Sequence, residues 1–207
     1  MNSFTRRLQL PGSAGATEVL RDDPEGAAIG TSFIAHPHPL FGGTMDNKVV
    51  QTLARAFVQC GWTALRFNFR GVGATAGVHD EGRGEADDFL QVVASQAPEG
   101  ALALAGFSFG SFVASRALQT LWPLRTIEKI VLVGTAASRF DVATLPPESH
   151  DRTLVVHGEH DDTVPLLSVL DWARPQSLPV TVVPGGAHFF HGQLPLLKNL
   201  VVRHLRS

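Results

Sequence analysis

The stretch ALALAGFSFG, residues 101–110, decides how this chain is read. Ala101 to Ala105 form an unbroken apolar run, the pattern of a short strand buried on both faces. Beyond Gly110, the residues Phe112, Val113, Ser115, Arg116 and Leu118 fit an amphipathic helix. Between the two lies Gly106-Phe107-Ser108-Phe109-Gly110, a G-x-S-x-G element in the strand–turn–helix setting that lifts a serine out of a sheet. The turn is tight, the serine takes a strained backbone geometry, and a Cβ at either flanking position would collide with neighbouring backbone. Ser108 is therefore a candidate nucleophile. The competing role for the same hydroxyl is an N-cap on the helix that follows.

Working outward, short apolar runs recur at Ser32–Ala35, Thr63–Phe67, Ile127–Val133, Thr153–Val156 and Val180–Val183, each the length of a buried parallel strand. Helical periodicity fills the intervals, over Lys48–Gln59, Gly84–Gln96, Ser108–Leu121, Val164–Ala173 and Gln193–Leu205. Ahead of them, Phe4–Leu10 and Ala16–Arg21 alternate apolar and polar residues around Pro11-Gly12-Ser13, as an antiparallel edge hairpin does. The alternation predicts an α/β fold: a mostly parallel central sheet of about eight strands with helices on both faces. Its reactive groups belong on loops beyond the carboxyl ends of the strands. No repeat, low-complexity tract or linker interrupts residues 1–207, which are read as one domain.

A serine hydroxyl needs a base to take its proton, and the base needs a carboxylate to fix its tautomer. After an elbow of this kind the acid comes next in the chain and the histidine last. The expected strand Thr153–Val156 runs into HGEHDDTVP, residues 157–165, where Asp161 is the expected acid. Its neighbour Asp162 has the same chemistry but is placed to cap the helix beginning near Val164. Val180–Val183 runs into PGGAHFFH, residues 184–191, whose His188 is the expected base; His191 reads as a surface or helix-start residue. A developing oxyanion needs two backbone donors, one of them the N–H of Phe109. The other comes from the loop beginning His36-Pro37-His38-Pro39-Leu40, in which neither proline has an N–H to offer. Leu40 is the first choice and His38 the rival.

Composition excludes several classes. With 17 Lys and Arg against 19 Asp and Glu, scattered along the chain, there is no basic field for nucleic acid. A single cysteine, Cys60, allows neither a disulfide framework nor a multi-cysteine metal site. His36 and His38 lack further ligands at matching spacing, so no metal is expected. No phosphate-binding glycine loop points to a cofactor. No run approaches the roughly 20 apolar residues that span a bilayer, and the first ten residues lack an apolar leader core. No membrane association and a cytoplasmic location are expected.

With these residues in hand, the chain resembles small, single-domain bacterial α/β hydrolases, near the dienelactone hydrolases and short-chain carboxylesterases. The block AHPHPLFGGTMDNKV, residues 35–49, is similar to the signature of an uncapped subgroup. LRFNFRGVG, residues 65–73, matches the strand and turn after the first main helix of such enzymes. Asp161 fits their G-x-x-D-x-x-V-P spacing. Dienelactone hydrolases would imply a cysteine nucleophile, whereas this elbow holds Ser108 and Cys60 ends a helix as a packed residue. Relatives with a lid insert it before the strand corresponding to Thr153–Val156. Here a short connection fills that place, so an α/β-hydrolase fold without a lid domain and with an open site is implied.

The resulting expectation is a serine hydrolase, a carboxylesterase cleaving small esters with water as co-substrate. An amidase or peptidase with the same three residues, and a non-catalytic binding module on the same scaffold, are the alternatives. Phe41, Phe107, Phe109, Phe189 and Phe190 could wall an acyl site, with at least two expected to pack on the sheet instead. Arg70 and Lys48 could bind an anion, but structural ion pairs are the expected role.

Overall fold

The computed structural model describes residues 5–207; Phe4, the expected start of the first strand, and the other residues of the segment 1–4 lie outside them. The strands are β1 (Thr5–Gly12), β2 (Gly15–Asp22), β3 (Thr31–Ala35), β4 (Thr63–Phe67), β5 (Leu102–Phe107), β6 (Ile127–Val133), β7 (Thr153–Gly158) and β8 (Val180–Val183). They form one eight-stranded sheet in the order β1-β2-β4-β3-β5-β6-β7-β8. From β4 to β8 neighbouring strands are parallel, and β1 and β2 form the antiparallel edge hairpin. The helices are α1 (Lys48–Gln59), α2 (Arg83–Gln96), α3 (Phe109–Leu121), α4 (Leu166–Ala173) and α5 (Leu194–Arg206).

The sheet has two dry faces because apolar residues occupy both phases of its period-2 alternation. Phe33, Leu65, Phe67, Leu102 and Leu104 point to the side covered by α2, α3 and α4, where Phe89, Val93, Val113, Leu118 and Val169 meet them. Ile34, Ala64, Ala103 and Ala105 point to the side covered by α1 and α5, against Val49, Leu53, Phe57, Leu197 and Val201. Burial of each large side chain contributes about 1.5–3 kcal/mol, so the internal strands have no alternative register that keeps both faces dry. Cys60 packs at the edge of the second cluster, as expected of a structural thiol.

The order of the strands reverses beside β3. From β3 the chain steps outward through α1 to β4, then crosses back through α2 to β5 on the other side of β3. The loops leaving β3 and β5 thus diverge from adjacent strands, paired as far as Ala35 opposite Gly106. Such a reversal opens a crevice at the carboxyl ends of the strands. The connection between β6 and β7 contains only loop and a short 3₁₀ turn, Pro147–Arg152, and builds no lid. Among the described residues, no helix is long and apolar enough to cross a membrane.

Candidate active site

Ser108 follows β5 directly and has φ 57° and ψ −118°, a left-handed conformation that side chains disfavour. The strain is tolerated because the surroundings fix the turn. The Ser108 N–H donates to Val133 O at 2.8 Å, and the Ser111 hydroxyl donates to Gly106 O at 2.8 Å. A Cβ on Gly106 would lie 2.3 Å from the backbone of Gly110, and one on Gly110 would lie 2.3 Å from Ala35 O. Both glycines are therefore required by contact with backbone, which cannot move aside. The Ser108 side chain makes no capping bond to α3, so the N-cap role does not apply.

The Ser108 hydroxyl lies instead 3.1 Å from His188 Nε2, and His188 Nδ1 lies 2.7 Å from Asp161 Oδ2. With Nδ1–H donated to the carboxylate, Nε2 is left with its lone pair toward the serine. The three groups come from loops after β5, β7 and β8 and are all nearly buried. Asp161 Oδ1 accepts the N–H groups of Thr163, at 3.0 Å, and Val164, at 2.7 Å. One carboxylate oxygen thus folds its own loop while the other holds the imidazole. Burial raises the pKa of this carboxyl, but the hydrogen bonds from His188 and Val164 outweigh burial and leave it below the ordinary value.

Asp162, expected to cap the helix beginning near Val164, is exposed, and its one side-chain hydrogen bond among the described residues is from the Thr163 hydroxyl, at 3.3 Å. α4 starts later, at Leu166 behind Pro165, with no side-chain cap, and the turn leading to it is held by Asp161 through the N–H groups of Thr163 and Val164. The loop carrying His188 is pinned from both sides. Gly158 approaches Gly186 so closely that a Cβ on it would sit 2.3 Å from Gly186 O. Phe190, with φ 51°, is driven into the α1/α5 side of the core.

The block after β3 divides its two histidines between different tasks. His36 is fully buried, with Nδ1 2.6 Å from Pro37 O and Nε2 accepting the Phe69 N–H at 2.9 Å. Burial lowers its pKa to about 4, so it is a neutral strut tying this loop to the end of β4. His38 faces the cleft, in ring contact with Phe109, Phe41, Phe140 and His79. His79 is in turn held by the wholly buried Glu85 at 2.9 Å. Burial, and then the nearby His79, lower the pKa of His38.

Leu40, the first choice for the second oxyanion donor, lies outside the cleft lining. A 3₁₀ turn over Pro39–Phe41 folds its N–H onto His38 Nδ1 at 3.2 Å, and its side chain is 71% exposed. The cleft is lined by His38 and Phe109 but not by Leu40. The tight return of this loop requires Gly43, where a Cβ would lie 2.0 Å from Pro37 O.

The cleft above Ser108 has a volume of about 290 Å³. Phe41, Phe109, Phe140 and Phe189 form its apolar walls, and Arg139 stands at its rim. Phe107 and Phe190 are fully buried and do not line it, as expected of at least two of the five phenylalanines. Phe140 and Arg139 escaped the sequence reading because their loop, between β6 and β7, has no periodicity. Phe140 is held there by stacking on Phe112, with ring centroids 4.9 Å apart and planes at 17°. Arg70 is not a cleft residue: it makes a two-point ion pair with Asp88, at 2.8 Å for each contact. A larger groove, of about 400 Å³ between α1 and the edge of the sheet, contains none of Ser108, Asp161 and His188.

An α/β-hydrolase family profile matches residues 72–169. A lidless α/β serine hydrolase from Xanthomonas campestris superposes with a TM-score of 0.87 at 35% identity, covering 100% of this chain and 95% of that one. The chain belongs to the α/β serine hydrolases. An α/β serine hydrolase homologue from Coxiella burnetii is 36% identical with a TM-score of 0.81, each chain being covered to 97%. An uncharacterised protein of Rickettsia prowazekii is 30% identical over 172 residues, 77% of this chain and 71% of that protein. This α/β serine hydrolase keeps the lidless architecture, with its cleft open directly above the turn that follows β5.

Proposed function

We propose that this hydrolase is a carboxylesterase acting on small esters through Ser108, His188 and Asp161. The observation that carries the reading is the hydrogen-bonded line from Ser108 Oγ through the imidazole to Asp161, at 3.1 and 2.7 Å, at the base of the cleft. Ser108 Oγ attacks the ester carbonyl carbon while His188 Nε2 takes the hydroxyl proton. The C–O bond to the alcohol then breaks, and His188 passes that proton to the departing oxygen. Water, deprotonated by His188, attacks the acyl-enzyme and releases the carboxylic acid and Ser108. Asp161 holds the ring and stabilises the transient imidazolium.

The oxyanion is assigned to the N–H of Phe109 and that of His38. His38 is preferred to Leu40 because it lines the cleft, while the Leu40 N–H is engaged by the His38 ring. The close approach of Gly110 to Ala35 O and His36 O supports this pairing, since it brings the start of α3 against the chain leading to His38. A fluorophosphonate probe tests the reading: it should label the wild-type protein covalently and leave Ser108→Ala unlabelled. Labelling that persists in Ser108→Ala would place the nucleophile elsewhere. The same variant should lose turnover of short p-nitrophenyl esters, and absence of both turnover and labelling in the wild type would favour a binding role.

A further inference from the structure

The rim of the cleft carries a charge that the hydrolytic chemistry does not use. Arg139 lines the cavity that contains Ser108 and His188, and among the described residues no Asp or Glu lines it. Nor does Arg139 enter any ion pair among the described residues, whereas Arg66, Arg70, Arg83, Arg152 and Arg174 all do. Its guanidinium carbon stands 5.7 Å from the centre of the Phe41 ring. Among the described residues the Arg139 side chain makes no hydrogen bond or ion pair, so its N–H donors are available to grip a carboxylate in two-point fashion. The other basic groups lining the cleft are imidazoles. His188 is committed to Asp161, and His38 is shifted toward its neutral form by burial and by His79. Among the described residues Arg139 is thus the one fixed charge lining the cleft, over walls that are otherwise aromatic, aliphatic or neutral polar, Asn47 and Thr163 among the last.

We propose that Arg139 selects esters that carry a carboxylate, the substrate's anion docking on the guanidinium while its ester carbonyl meets Ser108. The proposal rests on the esterase reading and leaves its covalent steps unchanged. It adds a substrate class: half-esters of dicarboxylic acids, or acyl esters of hydroxy acids. Arg70, a basic residue of the kind the sequence offers for this task, is neutralised by Asp88 outside the cleft.

The test compares kcat/KM within matched pairs in which a carboxylate replaces a methyl group. One series uses monoethyl half-esters of four- to eight-carbon diacids against ethyl alkanoates of equal length. The other uses acetate esters of short hydroxy acids against acetate esters of the matching alcohols. At low salt the wild-type protein should prefer the charged member of at least one pair by about tenfold, the order expected of a partly exposed charge-assisted hydrogen bond. Arg139→Gln should remove the preference, Arg139→Glu should invert it, and added salt should shrink it in the wild type. An active enzyme with no preference in any pair, or one whose preference survives Arg139→Gln, overturns the proposal and leaves the esterase reading standing. A protein that turns over no member of either series and takes no fluorophosphonate label overturns both.

Discussion

The base of the cleft and its rim are built by different physics. At the base, Ser108, His188 and Asp161 are nearly buried, and backbone contacts that tolerate no Cβ fix the turns carrying them. At the rim, Phe41 is 75% exposed, and the Arg139 side chain is held only by its contact with the Phe41 ring among the described residues, its backbone N–H donating to Ala136 O at 3.2 Å. A buried polar group must keep its partners or lose its full desolvation cost, whereas an exposed one exchanges them for water. The base is consequently where chemistry can be preorganised, and the rim is where substrate preference can change without disturbing the fold.

The sharpest way to break this division is at Ser108. If the proposed esterase reading holds, Ser108→Ala should reduce turnover of short esters at least about 10⁴-fold, because the remaining hydrogen-bond donors would leave the reaction without a nucleophile. Its melting temperature should stay near that of the wild type. Ser108→Gly should be as inactive but more stable than Ser108→Ala by about 1 kcal/mol, since glycine accepts φ 57° without strain. Thermal melts of the two variants measure the strain directly; equal stability would mean that the elbow stores none.

Next in size is the packing that holds the elbow against the loop after β3. Gly110→Ala places a methyl group 2.3 Å from Ala35 O and 2.7 Å from His36 O, so either β3 or α3 must shift. A loss of about 3 kcal/mol is expected, along with most probe labelling, because the same shift displaces the Phe109 N–H. Denaturant melts and labelling rates check the two effects together. A variant that folds and labels normally would show the base to be more compliant than its contacts imply.

Legibility in the sequence follows the same line. The internal strands were readable because apolar residues occupy both phases, as in Phe33 and Ile34 on opposite faces. Gly106, Gly110, Asp161 and His188 were readable because a tight turn and a fixed chain order leave few residue types to choose from. What sequence did not disclose depended on side-chain direction. Asp162 caps nothing because α4 starts behind Pro165 without a side-chain cap, while the second oxygen of Asp161 is aimed at its own loop. Leu40 is displaced by a 3₁₀ turn that presents its N–H to His38. Arg139 and Phe140 reach the cleft through a loop anchored by an aromatic stack on α3, a contact with no sequence period.

Acid should expose the buried strut beneath the site. Burial holds the pKa of native His36 down at about 4, against the ordinary histidine value of 6.5 in the unfolded chain. Between those values the unfolded chain binds more protons, so stability falls as pH is lowered through this window. From pH 7 to pH 5 the loss attributable to His36 should be about 2 kcal/mol. His36→Asn should be less stable at pH 7 yet show a shallower fall of melting temperature over this window. An unchanged slope would assign the acid sensitivity to the other histidines whose pKa is lowered, His157 and His204 among them.

The smallest effect is expected at the rim itself. Phe41→Ala removes an exposed ring whose contacts are Arg139 and the edge of His38, so stability should change by no more than about 0.5 kcal/mol. The ring's work is to restrict the guanidinium, and without it Arg139 keeps its charge but must be ordered at each binding event. Ordering a long side chain costs about 0.5–1.5 kcal/mol, which translates into a several-fold rise in KM for carboxylate-bearing esters and a smaller one for their uncharged counterparts. A comparable rise for both would make Phe41 a wall for the substrate's apolar part. A large drop in melting temperature would instead join the rim to the base and erase the distinction between them.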